Sequence, residues 1–317
     1  MPEPSLEAVN LSKRFGSFTA LSKLNLKIEG AKCVGFLGPN GAGKTTTLKI
    51  FTDLIRASEG KALINGIDVH EEKKKALDSC GTLIETPEIY PSFTPTEALS
   101  MIAEIRGIPK NQRGGRIGEV LEEVKMTEWA DKKVGKFSKG MKQRINIAAA
   151  LLTEPQIVIL DEPTTGLDPR GQAEVRDIVR SLKQKHRLVF MSSHLLNEVA
   201  EICDEVAMID HGKLLVYDKL TNVTSRFSHD GGGSVLEAEL LRDIDQKTVN
   251  DGISSLDGVA SVEMINSRSL RFKFSGGAEK QAKLLADLAR MNIGLISFKP
   301  STSLLEDTYL NMIKDTL

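Results

Sequence analysis

The sequence predicts an α/β domain built on a largely parallel sheet, followed by a small α+β domain, and three observations carry that prediction. Short, mostly apolar segments (Cys33–Leu37, Ile157–Leu160, Leu188–Ser192 and Glu205–Asp210) recur between helix-length stretches, the rhythm of strands buried on both faces and joined by helical crossovers. The first of these segments runs directly into a glycine-rich stretch, Gly38–Gly43, and then into a helix-like one. Far downstream, Gly231–Gly233 followed by Ser234 forms a segment too entropic to hold structure unaided, and a second pattern of strands and helices begins there.

From the N-terminus, Leu6–Phe15 and Leu21–Ile28 alternate apolar and polar residues about a turn at Gly16 and Ser17, which predicts antiparallel strands at a sheet edge. Strand Cys33–Leu37 leads through the glycine-rich loop to a helix over Lys44–Leu54, with threonines near its start. Asn65-Gly66 within Ala62–Val69 predicts a small hairpin, and Glu71–Asp78 reads as a charged helix. Between Thr96 and Leu152 the period becomes helical, with Ala98, Leu99, Ile102 and Ile105 on one face and Ile117, Val120, Leu121 and Val124 on another. Parallel-sheet order then resumes: strand Ile157–Leu160, helix Gly171–Lys183, strand Leu188–Ser192, helix Asn197–Cys203, strand Glu205–Asp210, and a turn at His211-Gly212 into Lys213–Tyr217.

The glycine run puts a domain boundary near Ser225–Gly233, giving domains 1–225 and 226–317, with a helical subdomain over about 86–152. Beyond it come strand Val235–Leu240, helix Asp245–Ser255, strands Ala260–Ile265 and Leu270–Ser275, helix Glu279–Met291 and strand Gly294–Lys299. That order, βαββαβ, predicts a ferredoxin-like split βαβ sandwich. Each motif described below occurs once, so the chain does not read as a tandem duplication.

Composition narrows the function. The 42 Lys and Arg nearly balance the 43 Asp and Glu, so no dedicated nucleic-acid surface is expected. The longest apolar candidate, Ile145–Leu160, is interrupted by Asn146, Glu154 and Pro155 and falls short of the ~20 residues a membrane helix needs. Met1–Asn10 carries acidic residues and prolines where a secretory signal needs basic and then apolar ones, so a cytosolic location is expected. Cys33, Cys80 and Cys203 are too widely spaced for a disulfide framework or a zinc site and read as reduced, mostly buried small hydrophobes.

The loop Gly38-Pro39-Asn40-Gly41-Ala42-Gly43-Lys44-Thr45 fits G-x-x-x-x-G-K-[ST], the P-loop whose backbone N–H groups converge on phosphates at a helix N-terminus. Its glycines permit positive φ and close backbone approach, Lys44 supplies a cation for the β and γ oxygens, Thr45 offers a hydroxyl to Mg²⁺, and Thr46 is placed to bond the α-phosphate. Ile157–Leu160 is a buried strand ending in Asp161-Glu162, at the sheet edge where parallel strands present ligands. Asp161 suits Mg²⁺, held through water, and Glu162 suits the polarisation of attacking water. His194 follows another strand, reaches the same edge, and is expected to contact the γ-phosphate.

Phe137-Ser138-Lys139-Gly140-Met141-Lys142-Gln143 resembles the signature sequence of ATP-binding cassette ATPases, in the S-K-G-M form of many exporter cassettes. It stands in the family's order, before Asp161-Glu162 and before Thr165-Gly166-Leu167-Asp168, which is similar to the family's D-loop; His194 matches the switch histidine. The resemblance covers about residues 1–220 and implies a P-loop NTPase fold with a RecA-like core, an antiparallel edge sheet and a helical subdomain. It further implies that two cassettes meet head to tail, so that Ser138, Lys139, Gly140 and Met141 serve the partner's ATP. Phe15 sits where the family stacks an aromatic on adenine, and core packing is the rival reading of that residue. Two positions depart from the pattern: Glu85 stands where family members usually carry Gln, yet offers an oxygen to Mg²⁺ or to water, and Met141-Lys142 makes the signature bulkier and more basic.

The expected function is therefore the ATP-binding and ATP-hydrolysing subunit of an exporter, with ATP and Mg²⁺ as cofactors, a second cassette and a separate membrane permease as partners, and a place at the inner face of the cell membrane. The alternative is a soluble relative acting on ribosomes or DNA; such relatives carry two cassettes or long coiled-coil insertions, and neither is evident here. A clamp that binds ATP without hydrolysis typically lacks the carboxylate that Glu162 provides. The region after Gly233, including Ser303–Asp307, looks like the C-terminal extension of exporter cassettes.

Overall fold

The computed structural model describes residues 3–85, 87–223 and 234–300; the predicted boundary near Ser225–Gly233 and the stretch Ser303–Asp307 lie outside them. Two compact units result, Met1–Asp218 and Lys219–Leu317.

In the first unit, β1 (Ser5–Phe15) and β2 (Phe18–Glu29) form the predicted antiparallel pair, from Ser5 opposite Glu29 to Phe15 opposite Phe18. The hairpin at Asn65-Gly66 joins β4 (Glu59–Ile64) to β5 (Ile67–Asp68), giving an edge sheet of order β2-β1-β4-β5. A second sheet has the order β10-β9-β3-β8-β7-β6, with β3 (Cys33–Leu37), β6 (Cys80–Leu83), β7 (Ile157–Asp161), β8 (Leu188–Ser193), β9 (Glu205–Asp210) and β10 (Lys213–Lys219). Its β6/β7, β7/β8, β8/β3 and β3/β9 pairs are parallel. The core between the sheets takes Leu6, Leu21 and Ile28 from one and Phe36, Ile157, Ile159 and Phe190 from the other. Phe190 is fully buried and packs on Phe36 and Phe51 at ring-centroid distances of 5.3 and 6.1 Å. Phe190→Ala is expected to lower stability by about 3–5 kcal/mol, read as a lower urea midpoint with an unchanged slope.

Several predicted boundaries move for local reasons. Helix α1 covers Lys44–Phe51, short of the predicted Leu54, because Asp53 adopts φ +48° and turns the chain. Of Glu71–Asp78 only Lys73–Leu77 (α2) is helical. The helical insertion divides into α3 (Pro95–Ile105), started by a Thr94/Glu97 capping box, α4 (Lys110–Glu123) and α5 (Lys139–Leu151). Helix α6 (Pro169–Gln184) starts two residues early, at a proline behind its cap Asp168, and α7 covers Leu196–Ile202.

Strand β6 had no strand signal. Its Gly81 explains why: a Cβ there would lie 2.1 Å from the Ala150 carbonyl oxygen, so close approach of α5 requires a residue that weakens the strand pattern.

In the second unit, β11 (Ser234–Leu240), β12 (Val259–Asn266), β13 (Ser269–Phe274) and β14 (Leu295–Pro300) form a sheet of order β12-β13-β11-β14 whose neighbours are all antiparallel. With helix Ala278–Arg290 between the last two strands, this is the split βαβ topology predicted from the element order. The predicted helix Asp245–Ser255 is instead one turn, Gln246–Thr248, continued as a π turn over Val249–Ile253. Leu236, Ala238, Phe272, Phe274, Leu284 and Leu288 make its separate core.

Candidate functional site

Strand order brings the predicted residues together. The chain passes from β3 to the far edge at β6, returns through β7 to β8 beside β3, and then crosses to β9 on the other side; ligands bind at such a reversal, beyond the carboxyl ends of the strands. Leu37 pairs with Ser193, and Asp161 with Ser192. The loops carrying Gly38, Glu162 and His194 therefore leave the sheet at nearly one level.

The phosphate loop is held by its own backbone. Gly43 has φ +107°, and a Cβ on it would meet Leu21 Cδ2 at 2.7 Å and the Ala20 oxygen at 2.8 Å, so only glycine fits. A Cβ on Gly38 would lie 2.3 Å from the Ile209 oxygen. Ala42 N–H donates to the Pro39 oxygen at 3.2 Å, and this turn spans Asn40 and Gly41. Lys44 is 4 % exposed and donates to the Gly38 and Pro39 oxygens at 2.8 and 3.1 Å. Helix α1 starts here with no acidic side chain of its own in its first turn, which includes Thr45 and Thr46, so its positive end is open to an anionic ligand.

Beside it, Asp161 Oδ1 accepts from Thr45 Oγ1 at 3.2 Å and from Ser192 Oγ at 2.6 Å. The same Ser192 oxygen accepts from Glu162 N–H at 2.9 Å. Glu162 has φ +43°, a conformation unfavourable to a residue with a Cβ. It is stabilised by that bond and by Thr165 N–H donating to its carbonyl at 3.1 Å. Its Oε2 accepts from Thr165 Oγ1 at 2.9 Å and lies 3.1 Å from His194 Nδ1, while Oε1 lies 3.4 Å from Lys44 Nζ. Burial alone would raise the Glu162 pKa, but the Thr165 hydroxyl, the Lys44 ammonium and His194 outweigh it and hold the carboxyl below its ordinary range. The group is a carboxylate at neutral pH, oriented by three partners.

The signature forms the start of α5. Ser138 is its cap, accepting from Met141 N–H at 3.2 Å, with Lys139 and Gly140 in the first turn. Gly140 packs against Gly171 of α6, where a Cβ would stand 3.2 Å from the Gly171 Cα. One turn along, buried Gln143 donates to the Pro163 oxygen at 2.8 Å, tying the signature helix to the residue that follows Glu162.

Two predicted residues, Glu85 and Phe15, lie outside this hydrogen-bonded network. Glu85, at φ +59°, pairs with Lys49 of α1 at 2.5 Å, so its oxygen faces a lysine, with neither Thr45 nor Asp161 in that contact. Phe15 is 50 % exposed, with Lys13 Nζ 4.8 Å above its ring; core packing, the rival reading, is thereby overturned.

Ser192 and Lys49 were not singled out in the sequence, and Thr165 and Gln143 entered only as members of the D-loop and signature segments, with no role of their own. Ser192 left a signal of its own, a hydroxyl at the end of an otherwise apolar strand two residues before His194.

Comparison with known proteins bears on this arrangement. The family model described as ABC transporter matches residues 21–165. The linearmycin resistance ATP-binding protein of Bacillus subtilis (strain 168) is 31 % identical over 98 % of this chain and 99 % of its own. The bacitracin transport ATP-binding protein of Bacillus licheniformis is 43 % identical over 66 % of this chain and 68 % of its own. Among solved structures, an ATP-binding subunit of an ABC transporter aligns with TM-score 0.63 and 28 % identity over 71 % of this chain and 94 % of that one. A dimeric ATP-binding cassette in a post-hydrolysis state, bound to ADP and Pi, aligns with TM-score 0.61 and 25 % identity over 68 % and 98 %. A phosphate loop and a carboxylate pair on one sheet edge and a capped signature helix, together with likeness to a relative along nearly the whole chain, place this protein in the ABC transporter family as an ATP-binding subunit with ATPase activity.

Proposed function

We propose that this subunit hydrolyses Mg²⁺-ATP between its own phosphate loop and the signature of a second cassette, and that the stroke drives export through a separate membrane permease. The observation that carries the reading is the single network joining Lys44, Thr45, Asp161, Glu162 and His194. The Thr45 hydroxyl and the Asp161 carboxylate are hard oxygen donors already in contact and fit Mg²⁺; bound there, the ion would neutralise charge on the phosphate oxygens. Lys44 and the N–H groups of Gly41–Thr46 hold the phosphates. Glu162 accepts a hydrogen bond from the attacking water and His194 keeps that carboxylate aimed. Ser138, Lys139, Gly140 and Met141 at the positive end of α5 face the partner's γ-phosphate, and Phe15 stacks on adenine.

No helix among the described residues is long and apolar enough to cross a membrane, which supports a separate permease and a peripheral place at the inner membrane face. Relatives named for linearmycin resistance and for bacitracin and lantibiotic transport support export of toxic compounds of that kind. Because the site is completed in trans, ATPase activity per molecule is expected to rise with protein concentration and to level off as dimers fill. Full activity from protein that light scattering finds strictly monomeric would overturn the reading.

A further inference from the structure

The site just described leaves two buried thiols unused. Cys33 opens β3, the strand whose far end becomes the phosphate loop, and Cys203 follows α7, the helix that begins two residues after His194. Their Sγ atoms lie 3.5 Å apart. Hydrogen bonds around Asp204 hold them there: Asp204 N–H donates to the Cys33 oxygen at 2.9 Å, Asp204 Oδ2 accepts from Cys33 N–H at 2.9 Å, and Lys183 pins the same carboxylate at 2.5 Å.

We infer that Cys33 and Cys203 are a redox site, closing to an intrachain disulfide under a peroxide-class oxidant, and that the bond slows ATP turnover. Cys33 is fully buried and Cys203 keeps 8 % of its surface, so a small oxidant of the peroxide class, not a protein disulfide, is the reagent that fits. The Cys203 sulfur attacks one peroxide oxygen, the O–O bond breaks, and water leaves a sulfenic acid behind; the Cys33 sulfur then displaces the sulfenic oxygen as a second water. In sum two S–H bonds give way to one S–S bond, and both electrons and both protons pass to the peroxide. Its hydrogen bond with Cys33, and then burial, hold the Cys203 thiol well above the usual thiol range. The first step is therefore slow beside that of an exposed thiolate, and the site answers sustained oxidation.

The mechanical consequence follows from tight packing. An S–S bond is about 2.05 Å long, so the sulfurs must approach by about 1.5 Å. A Cβ on Gly35 of β3 would stand 2.5 Å from Val199 Cγ1 and 3.1 Å from Cys203 Sγ, so α7 already rests on the backbone of β3 with no slack to compress. The contraction tilts α7 and displaces the loop that sets His194 against Glu162. A misplacement of about 1 Å in a catalytic constellation lowers rates by up to the order of a hundredfold.

The test uses the full chain, treated with hydrogen peroxide, quenched with catalase, and unfolded in iodoacetamide. The expected product is lighter than the parent by the mass of two hydrogens before alkylation and takes up one label, on Cys80. ATP turnover is expected to fall at least about tenfold and to recover with dithiothreitol. Cys203→Ser and Cys33→Ser should each keep their turnover in peroxide. Three labelled cysteines after oxidation, or a disulfide with unchanged turnover, or equal inhibition of the serine variants, would each overturn the inference. The loss of turnover rests on the role proposed for His194, whereas the mass and labelling do not, so the two readings fail separately.

Discussion

Glu162→Gln is expected to lower ATP turnover by a factor on the order of 10² to 10⁴, the range a positioned general base contributes, while ATP still binds. The substitution keeps shape and removes charge. A Gln oxygen still accepts from the Thr165 hydroxyl, but the 3.4 Å pairing with Lys44 and the 3.1 Å contact with His194 lose their anion. Lys44 is then freed from its carboxylate and binds phosphate without competition. The variant should therefore accumulate as an ATP-loaded dimer, seen as a doubled mass by light scattering on addition of Mg²⁺-ATP and absent with ADP. Hydrolysis at the parent rate would remove Glu162 from the role of base.

Lys44→Ala is expected to weaken ATP binding by roughly 10- to 150-fold, the loss of a charge-assisted hydrogen bond of about 1.5–3 kcal/mol. A second effect adds to it. Lys44 is almost wholly buried and is one of the charges that keep Glu162 ionised, so its removal raises the Glu162 pKa as well as emptying the phosphate cradle of its cation. Lys44→Met, which retains the buried stem, separates lost charge from lost packing. Titration with a fluorescent ATP analogue measures both variants; unchanged affinity in Lys44→Met would show that the ammonium does not hold the phosphates.

What could be read in advance was what is local in sequence. The phosphate loop declares itself because eight consecutive residues must supply glycines, a cation and a hydroxyl in fixed order. Asp161 and Glu162 stand out because an apolar strand ends in charge, and His194 because it follows a strand of the same kind. The second unit's topology was also legible, since βαββαβ leaves few ways to pair four strands.

What escaped depends on neighbours remote in sequence. Ser192 matters because β8 lies beside β7 in a register that sets its hydroxyl between Asp161 and the Glu162 N–H, and no spacing encodes that. Strand β6 was hidden by the glycine its packing demands. The ion pair between Lys49 and Glu85 joins a helix to a loop 36 residues away, and the family position that singled out Glu85 gives no hint of that lysine.

Gln143 joins two parts of the site. Its amide links α5, the helix that opens with the signature, to Pro163, the residue just past Glu162. In the two-cassette arrangement proposed above, a shift of Pro163 during one molecule's reaction would be passed along α5 towards the partner's nucleotide.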